Sequence, residues 1–151
     1  MDAQTHNCLD LVNSYRAKHQ AGALEYDQDV EQYALGRART LGDNDAMEHL
    51  PQGQNPYGEN LYEFWDTEEH PDDICQRAVD SWYNEVKMYD FDNQGFGMDT
   101  GHFTQLVWKG TTKLGCASSQ ASETGNRYVV CNFEKPGNML GDFENNVSPS
   151  S

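Results

Sequence analysis

The sequence predicts one domain of mixed α and β structure, an α+β fold. A chain of 151 residues is long enough for one ordinary domain with a buried core. Apolar side chains recur at helical spacing in the first half, and two runs in the second half, 113–119 and 127–134, are typical of strands. Because neither a repeat nor a linker interrupts the chain, we expect the domain to cover 1–151, with frayed ends at about 1–4 and 148–151.

The first two helices are predicted from apolar spacing and from residues that cap helices. A first helix is expected over 6–18. After an extended link at 24–26, Asp27 or Asp29 caps a second helix, which ends at the polar stretch 42–45. The apolar face of this second helix comprises Val30, Ala34, Leu35, Ala38 and Leu41.

The third helix is expected to begin near Pro71, after a solvated acidic loop at 66–69. Proline is favoured in the first turn of a helix, where no backbone N–H is needed. Helical spacing turns Glu85 inward together with the apolar stripe. The residues that share this face are Ile74, Ala78, Trp82, Glu85 and Tyr89.

A loop and a short fourth helix are expected before the two strands. The loop spans 89–98, and Asp99 or Thr100 caps the helix that follows it. After the strands, the tail is expected to pack on the body of the domain through Leu140 and Phe143.

The formal net charge of −15 excludes some classes of partner. Nucleic acids and anionic membrane surfaces would repel so acidic a chain. No run is long and apolar enough to span a membrane. The segment after Met1 is polar and lacks the apolar centre of a signal peptide. We therefore expect either a mature secreted chain or a protein that lacks a classical export signal.

Four cysteines, at positions 8, 75, 116 and 131, include no CxxC pair, so a zinc ribbon or a thioredoxin-like motif is not indicated. Cys116 and Cys131 flank the turn-like stretch 123–126 almost symmetrically. A hairpin there would bring them close enough to form a disulfide. A bridge and two reduced thiols are both compatible with the sequence.

Four polar residues form a candidate site: His49, Glu59, Glu85 and His102. Two imidazoles and two carboxylates suit zinc or another divalent transition metal. Their scattered spacing is equally compatible with unrelated surface residues. No serine or cysteine stands beside an obvious base, so an enzyme is the less favoured interpretation.

Two longer stretches carry a family resemblance. Residues 101–111, GHFTQLVWKGT, resemble the first signature of the CAP superfamily, which contains cysteine-rich secretory proteins, antigen 5 and plant pathogenesis-related class 1 proteins. Residues 128–139, YVVCNFEKPGNM, resemble the second signature, with departures at Phe133 and Lys135. The resemblance extends from about 8 to about 147. It implies a three-layer α-β-α sandwich, and the family's cavity residues, two histidines and two glutamates, correspond to His49, His102, Glu59 and Glu85.

The resemblance also implies a ligand for the aromatic loop. Tyr89, Phe91 and Phe96 follow the spacing of a similar loop in sterol-binding members of the family. A sterol offers a flat apolar face that aromatic side chains can cover, and Gly95 and Gly97 favour a mobile loop. The alternative is that the three rings pack on the core and anchor the loop.

The resemblance therefore predicts a secreted protein that binds a sterol or another small lipid and has a polar cavity able to hold a divalent metal such as zinc. Two alternatives remain open. One is a metal-dependent, protease-like hydrolase, and the other is a non-catalytic recognition or defence protein.

Overall fold

The computed structural model describes residues 7–51, 53–65 and 73–150. Four strands form one sheet in the order β1-β3-β4-β2. The first strand is parallel to the third, and the other neighbours are antiparallel. The strands are β1 (Glu25–Tyr26), β2 (Gly58–Phe64), β3 (Lys113–Gln120) and β4 (Arg127–Glu134).

Five α-helices and one 3-10 turn accompany this sheet within the described ranges. They are α1 (Cys8–Lys18), α2 (Gln28–Asn44), α3 (Ile74–Asn84), a 3-10 turn (Glu85–Met88), α4 (Gly101–Leu106) and α5 (Phe143–Asn146).

Helices cover both faces of the sheet, which confirms the predicted three-layer α-β-α sandwich. On one face, Ala34, Ala38 and Leu41 of α2 pack against side chains such as Val130. On the other face, α1, α3 and α4 share a second core with Val129. The two cores are separate because successive strand residues point to opposite faces of a sheet.

The second helix begins and ends as its sequence predicts. The Asp27 carboxylate accepts a hydrogen bond from the Val30 N–H at 3.1 Å, so Asp27 rather than Asp29 is the capping residue. The helix ends at Asp45, which adopts a left-handed backbone with φ of 47°. The Asp45 side chain then accepts hydrogen bonds from Thr124 and Tyr128, which attach the helix end to the β3–β4 hairpin.

Several segments differ from the predictions. Residues 58–64, for which the sequence predicts no strand, form the full strand β2. In the tail, Phe143 is buried as expected, but Leu140 is 86% exposed, so the prediction that it packs on the body is wrong. Ser148, at the start of the predicted frayed end, accepts a hydrogen bond from buried His19 at 2.7 Å. The predictions for residues 1–4, 66–69, Pro71 and Ser151 lie outside the described residues.

All four cysteines form disulfides. Cys116 lies directly opposite Cys131 in the β3–β4 ladder, and the two are bridged. This is the pair that the hairpin spacing brings together. The second bridge joins Cys8 of α1 to Cys75 of α3. Its partners are 67 residues apart, and the sequence contains no local signal for the pairing.

No helix in the described ranges combines the length and apolar character needed to cross a bilayer.

Candidate functional site

A cavity of about 250 Å³ lies where β2 meets the loop before α4. Three of the four predicted polar residues, His49, Glu59 and His102, line it. Glu85 is not among the lining residues but contacts His102. The remaining lining residues are Asn60, Phe96, Met98, Gly101 and Asn138.

Glu59, on β2, is the buried centre of one half of the site, with 4% of its side chain exposed. Arg37 donates to both carboxylate oxygens, each at 3.0 Å. Asn132 and Asn55 donate to the same carboxylate at 3.0 and 3.1 Å, and His49 Nδ1 lies 3.0 Å from it. Five polar contacts therefore compensate the loss of hydration around this carboxylate.

These contacts keep Glu59 ionised. Burial by itself raises the pKa of a carboxyl group. The hydrogen bonds from His49, Arg37 and Asn132 outweigh burial and lower the pKa of Glu59 to about 2. An ionised carboxylate accepts hydrogen bonds only, so Nδ1 of His49 carries the proton in their contact.

Sequence reasoning missed Arg37 and Asn132. Arg37 follows Ala34 by three residues and precedes Leu41 by four, which places it on the buried face of α2. A charged residue on an apolar stripe was therefore a signal for a buried ionic partner. No comparable signal marks Asn132, because its contact with Glu59 depends on the pairing of β2 with β4.

The second half of the site is the pair of His102 and Glu85. His102 Nδ1 donates to one Glu85 oxygen at 2.8 Å. The other Glu85 oxygen accepts the Phe103 backbone N–H at 3.0 Å. The N–H groups in the first turn of a helix lack intrahelical partners, so Glu85 both orients His102 and satisfies the start of α4. Asn60 adds a hydrogen bond to the His102 carbonyl at 3.0 Å.

Each histidine therefore has its Nδ1 held by a carboxylate. Nε2 is the nitrogen that remains for a ligand, an arrangement typical of metal-binding histidines. Within the described residues, the only trio of metal-ligating side chains with atoms within 4.8 Å of one another is Cys8, Cys116 and Cys131. These sulfurs are in disulfides. The polar site thus offers two imidazoles rather than a closed set of four ligands.

The three aromatic residues of the loop have different surroundings. Tyr89 is buried and Phe91 is half-buried, and both rings contact Phe103, with centroids 5.6 and 6.2 Å away. Phe96 is 54% exposed. It borders the polar cavity and also a second cavity of about 310 Å³, formed by the loop itself. Core packing thus accounts for Tyr89 and Phe91, whereas Phe96 is available to a ligand.

Comparison with known proteins identifies related sequences. The family model described as "CAP: Cysteine-rich secretory protein family" matches residues 9–133. The chain is 36% identical over 138 residues to Protein PRY2 of Saccharomyces cerevisiae, a match that covers 91% of this chain and 39% of that protein. It is 35% identical over 150 residues to the human Golgi-associated plant pathogenesis-related protein 1, covering 97% of this chain and 94% of that protein. The chain thus spans about two fifths of the yeast protein and nearly all of the human one.

A solved structure shares the fold. The structure described as "Crystal structure of NaASP2 with Zn2+" superimposes with a TM-score of 0.73, covering 100% of this chain and 87% of that one. The two sequences are 23% identical, so this likeness supports the three-layer architecture and nothing finer.

Proposed function

This chain belongs to the cysteine-rich secretory protein (CAP) family, and we propose that it binds a sterol or a similarly flat small lipid at the aromatic loop. The observation that carries the proposal is the position of Phe96. This ring is more than half exposed and borders two neighbouring cavities. An exposed aromatic face beside a concave surface is a suitable contact for a flat apolar ligand.

The surroundings of Phe96 support this function. Tyr89 and Phe91 anchor the start of the loop on Phe103, and the Gln94 side-chain N–H donates to the Tyr89 hydroxyl at 3.1 Å. The cavities have volumes of about 310 and 250 Å³, one at and one below the lower limit of about 300 Å³ for ligand pockets. We therefore expect a ligand that lies against one face of Phe96 rather than one that is fully enclosed.

Replacing the exposed ring tests the proposal. The substitution Phe96→Ala should weaken binding of radiolabelled cholesterol or ergosterol by about tenfold to a hundredfold, because about 1–3 kcal/mol of apolar contact is lost. Phe91→Ala should also weaken binding, but Phe91 packs on Phe103 and its loss would disturb the fold as well. Phe96 is therefore the more diagnostic position.

Two variants serve as controls. Trp65→Ala removes another exposed aromatic side chain, beyond the far end of β2, and should bind sterol like the wild type. His102→Ala should bind largely as the wild type does, because a sterol has a single hydroxyl to offer a polar site. Absence of sterol binding by the wild type would contradict the proposal. Equal binding by the wild type and Phe96→Ala would show that the ligand binds at another surface.

A second property, weak binding of a divalent metal, is favoured by the two oriented histidines. His49 and His102 line one cavity, and each Nδ1 is held by a carboxylate. We expect a zinc ion to bind through the two Nε2 atoms, with water completing the coordination. Such an ion would supply Lewis acidity when bound. With only two protein ligands, we expect low affinity.

Calorimetric titration with zinc tests this property. His102→Ala and the double variant His49→Ala/His102→Ala should both lose zinc binding. The wild-type affinity should fall on acidification, because a ligating imidazole must be unprotonated. His70→Ala removes a histidine outside the proposed set and serves as the control. Equal zinc uptake by the wild type and the double variant would contradict a shared site.

We infer further that the protein works in an oxidising compartment, as a secreted chain would. Two intrachain disulfides support this inference, because such bridges persist mainly outside the cytosol. The family to which the chain belongs is also described as secretory.

A further inference from the structure

Four large apolar side chains around the aromatic loop are exposed to solvent: Met88, Phe96, Met98 and Leu140. We call these four residues the apolar rim. Met98 and Leu140 are 88% and 86% exposed, and Met88 and Phe96 are each more than half exposed. Isolated apolar residues are common on protein surfaces and need no explanation. The rim is different because its members adjoin one another.

Shared cavities connect the members of the rim. Phe96 lines the polar cavity together with Met98, and it lines the loop cavity together with Met88. Gln94 and Gly95 line the loop cavity and also a third cavity of about 260 Å³, which Leu140 borders. The four side chains therefore surround one continuous, indented surface.

The composition of the rim indicates an adaptable partner. Three of its members, two methionines and a leucine, are flexible aliphatic side chains, and methionine in particular conforms to irregular apolar surfaces. Contiguous apolar patches on a soluble protein commonly mark sites of protein or membrane contact. Phe96 also lines the proposed lipid site, which favours a membrane, and the surrounding charge decides which kind of membrane.

The segments that carry the rim are mostly acidic. Segments 87–99 and 135–144 together contain five carboxylates and two lysines. The carboxylates are Asp90, Asp92, Asp99, Asp142 and Glu144, and the lysines are Lys87 and Lys135; all seven residues are exposed. An anionic lipid surface would be repelled. A second copy of the chain, which also carries a net charge of −15, would bring the same carboxylates together.

We propose that the apolar rim docks on the surface of an electrically neutral lipid bilayer. Met98 and Leu140 insert among the outer parts of the lipids, and the acidic residues around them stay in water. The inference rests on the proposed function, because it identifies the bilayer as the source or destination of the lipid that binds at the loop. Phe96 belongs both to the proposed ligand site and to the apolar rim. A ligand would therefore pass between the bilayer and its site without crossing open water.

Vesicle flotation tests the docking surface. The wild type should float with vesicles of pure phosphatidylcholine and should float less with vesicles rich in phosphatidylserine. The double variant Met98→Ser/Leu140→Ser should bind phosphatidylcholine vesicles at least about tenfold more weakly, because both substitutions remove apolar area that would leave water. Circular dichroism checks that its fold is retained.

Trp65→Ser is the matched control. It removes a large side chain that is 62% exposed but adjoins Thr124 and Gly125 at the hairpin turn. Trp65 follows Phe64, which ends β2 and pairs with Arg127. The polar cavity lies near the other end of β2, where Gly58 pairs with Phe133. Loss of an equally apolar residue at this opposite end should leave flotation unchanged.

Four results would overturn the docking proposal. They are no flotation with neutral vesicles, equal flotation of the double variant, stronger binding to anionic vesicles, and a dimer in solution that the double variant dissociates. Sterol binding measured without vesicles separates the two proposals. If the wild type binds sterol but does not float, docking alone fails. If it floats but binds no sterol, the proposed function fails while the docking surface stands.

Discussion

At the level of single residues, Glu59 shows how a carboxylate can remain ionised although it is buried. Its pKa of about 2 lies below its ordinary value of 4.5. The folded state therefore binds the proton more weakly than the unfolded state does. This carboxylate stabilises the fold fully above about pH 5, and its contribution is lost as the pH falls towards 2.

The substitution Glu59→Gln should remove this pH dependence. Denaturant unfolding of the wild type should show about 3 kcal/mol of stability lost between about pH 5 and pH 2 because of Glu59. The variant should be less stable at pH 7, since Arg37 loses its ionic partner, and its stability should change less over the acid range. Glu144→Gln, at an exposed carboxylate, is the control. Parallel acid profiles for wild type and Glu59→Gln would contradict the assigned role.

At the level of elements, the contact of α2 with β3 depends on one glycine. A Cβ atom at Gly115 would lie 2.2 Å from the Glu31 backbone nitrogen and 2.4 Å from the Val30 carbonyl carbon. No real Cβ atom approaches backbone so closely, and a helix backbone cannot yield as a side chain can. The layer formed by α2 can therefore lie against the sheet only because position 115 has no side chain.

A pair of glycine substitutions tests this contact. Gly115→Ala should push α2 away from the sheet and lower the free energy of unfolding by about 3 kcal/mol or more. Gly36→Ala, in the middle of α2, meets no atom within 4 Å and should raise stability by about 0.5–1 kcal/mol. Denaturant unfolding measures both. Similar stabilities for the two variants would show that the α2–sheet contact can relax.

Elements whose signals are local were predictable, and elements that depend on distant partners were not. The β3–β4 hairpin follows from the turn at 123–126 and the symmetric cysteines around it. The strand β2 pairs along its whole length with β4, which lies about 70 residues later in the chain. Its own sequence therefore did not show that it is a strand. Leu140 was predicted to be buried because an apolar residue in a tail suggests packing, and only the structure shows it in water.

At the level of the whole molecule, α1 is attached at two points to the other helices of its layer. Arg16 is buried and donates to the carbonyl oxygens of Leu106 and Trp108 at 3.1 and 2.8 Å, so α1 is held to the end of α4. The Cys8–Cys75 bridge holds the same helix to α3. The sulfurs of Cys8, Cys116 and Cys131 lie within 4.8 Å of one another, so the two disulfides meet in the core between the helices and the sheet.

The sequence by itself determined the mixed α and β composition, the ends of α2 and the hairpin. Periodicity, capping and turn chemistry are local, so they can be recognised in a single chain. The tertiary structure decided which polar residues act together. It brought Arg37 and Asn132 into contact with Glu59, and Glu85 into contact with His102. It also buried Tyr89 and left Phe96 exposed to solvent. A local pattern can indicate that such a residue is buried, but the identity of its partner depends on contacts between residues far apart in the chain.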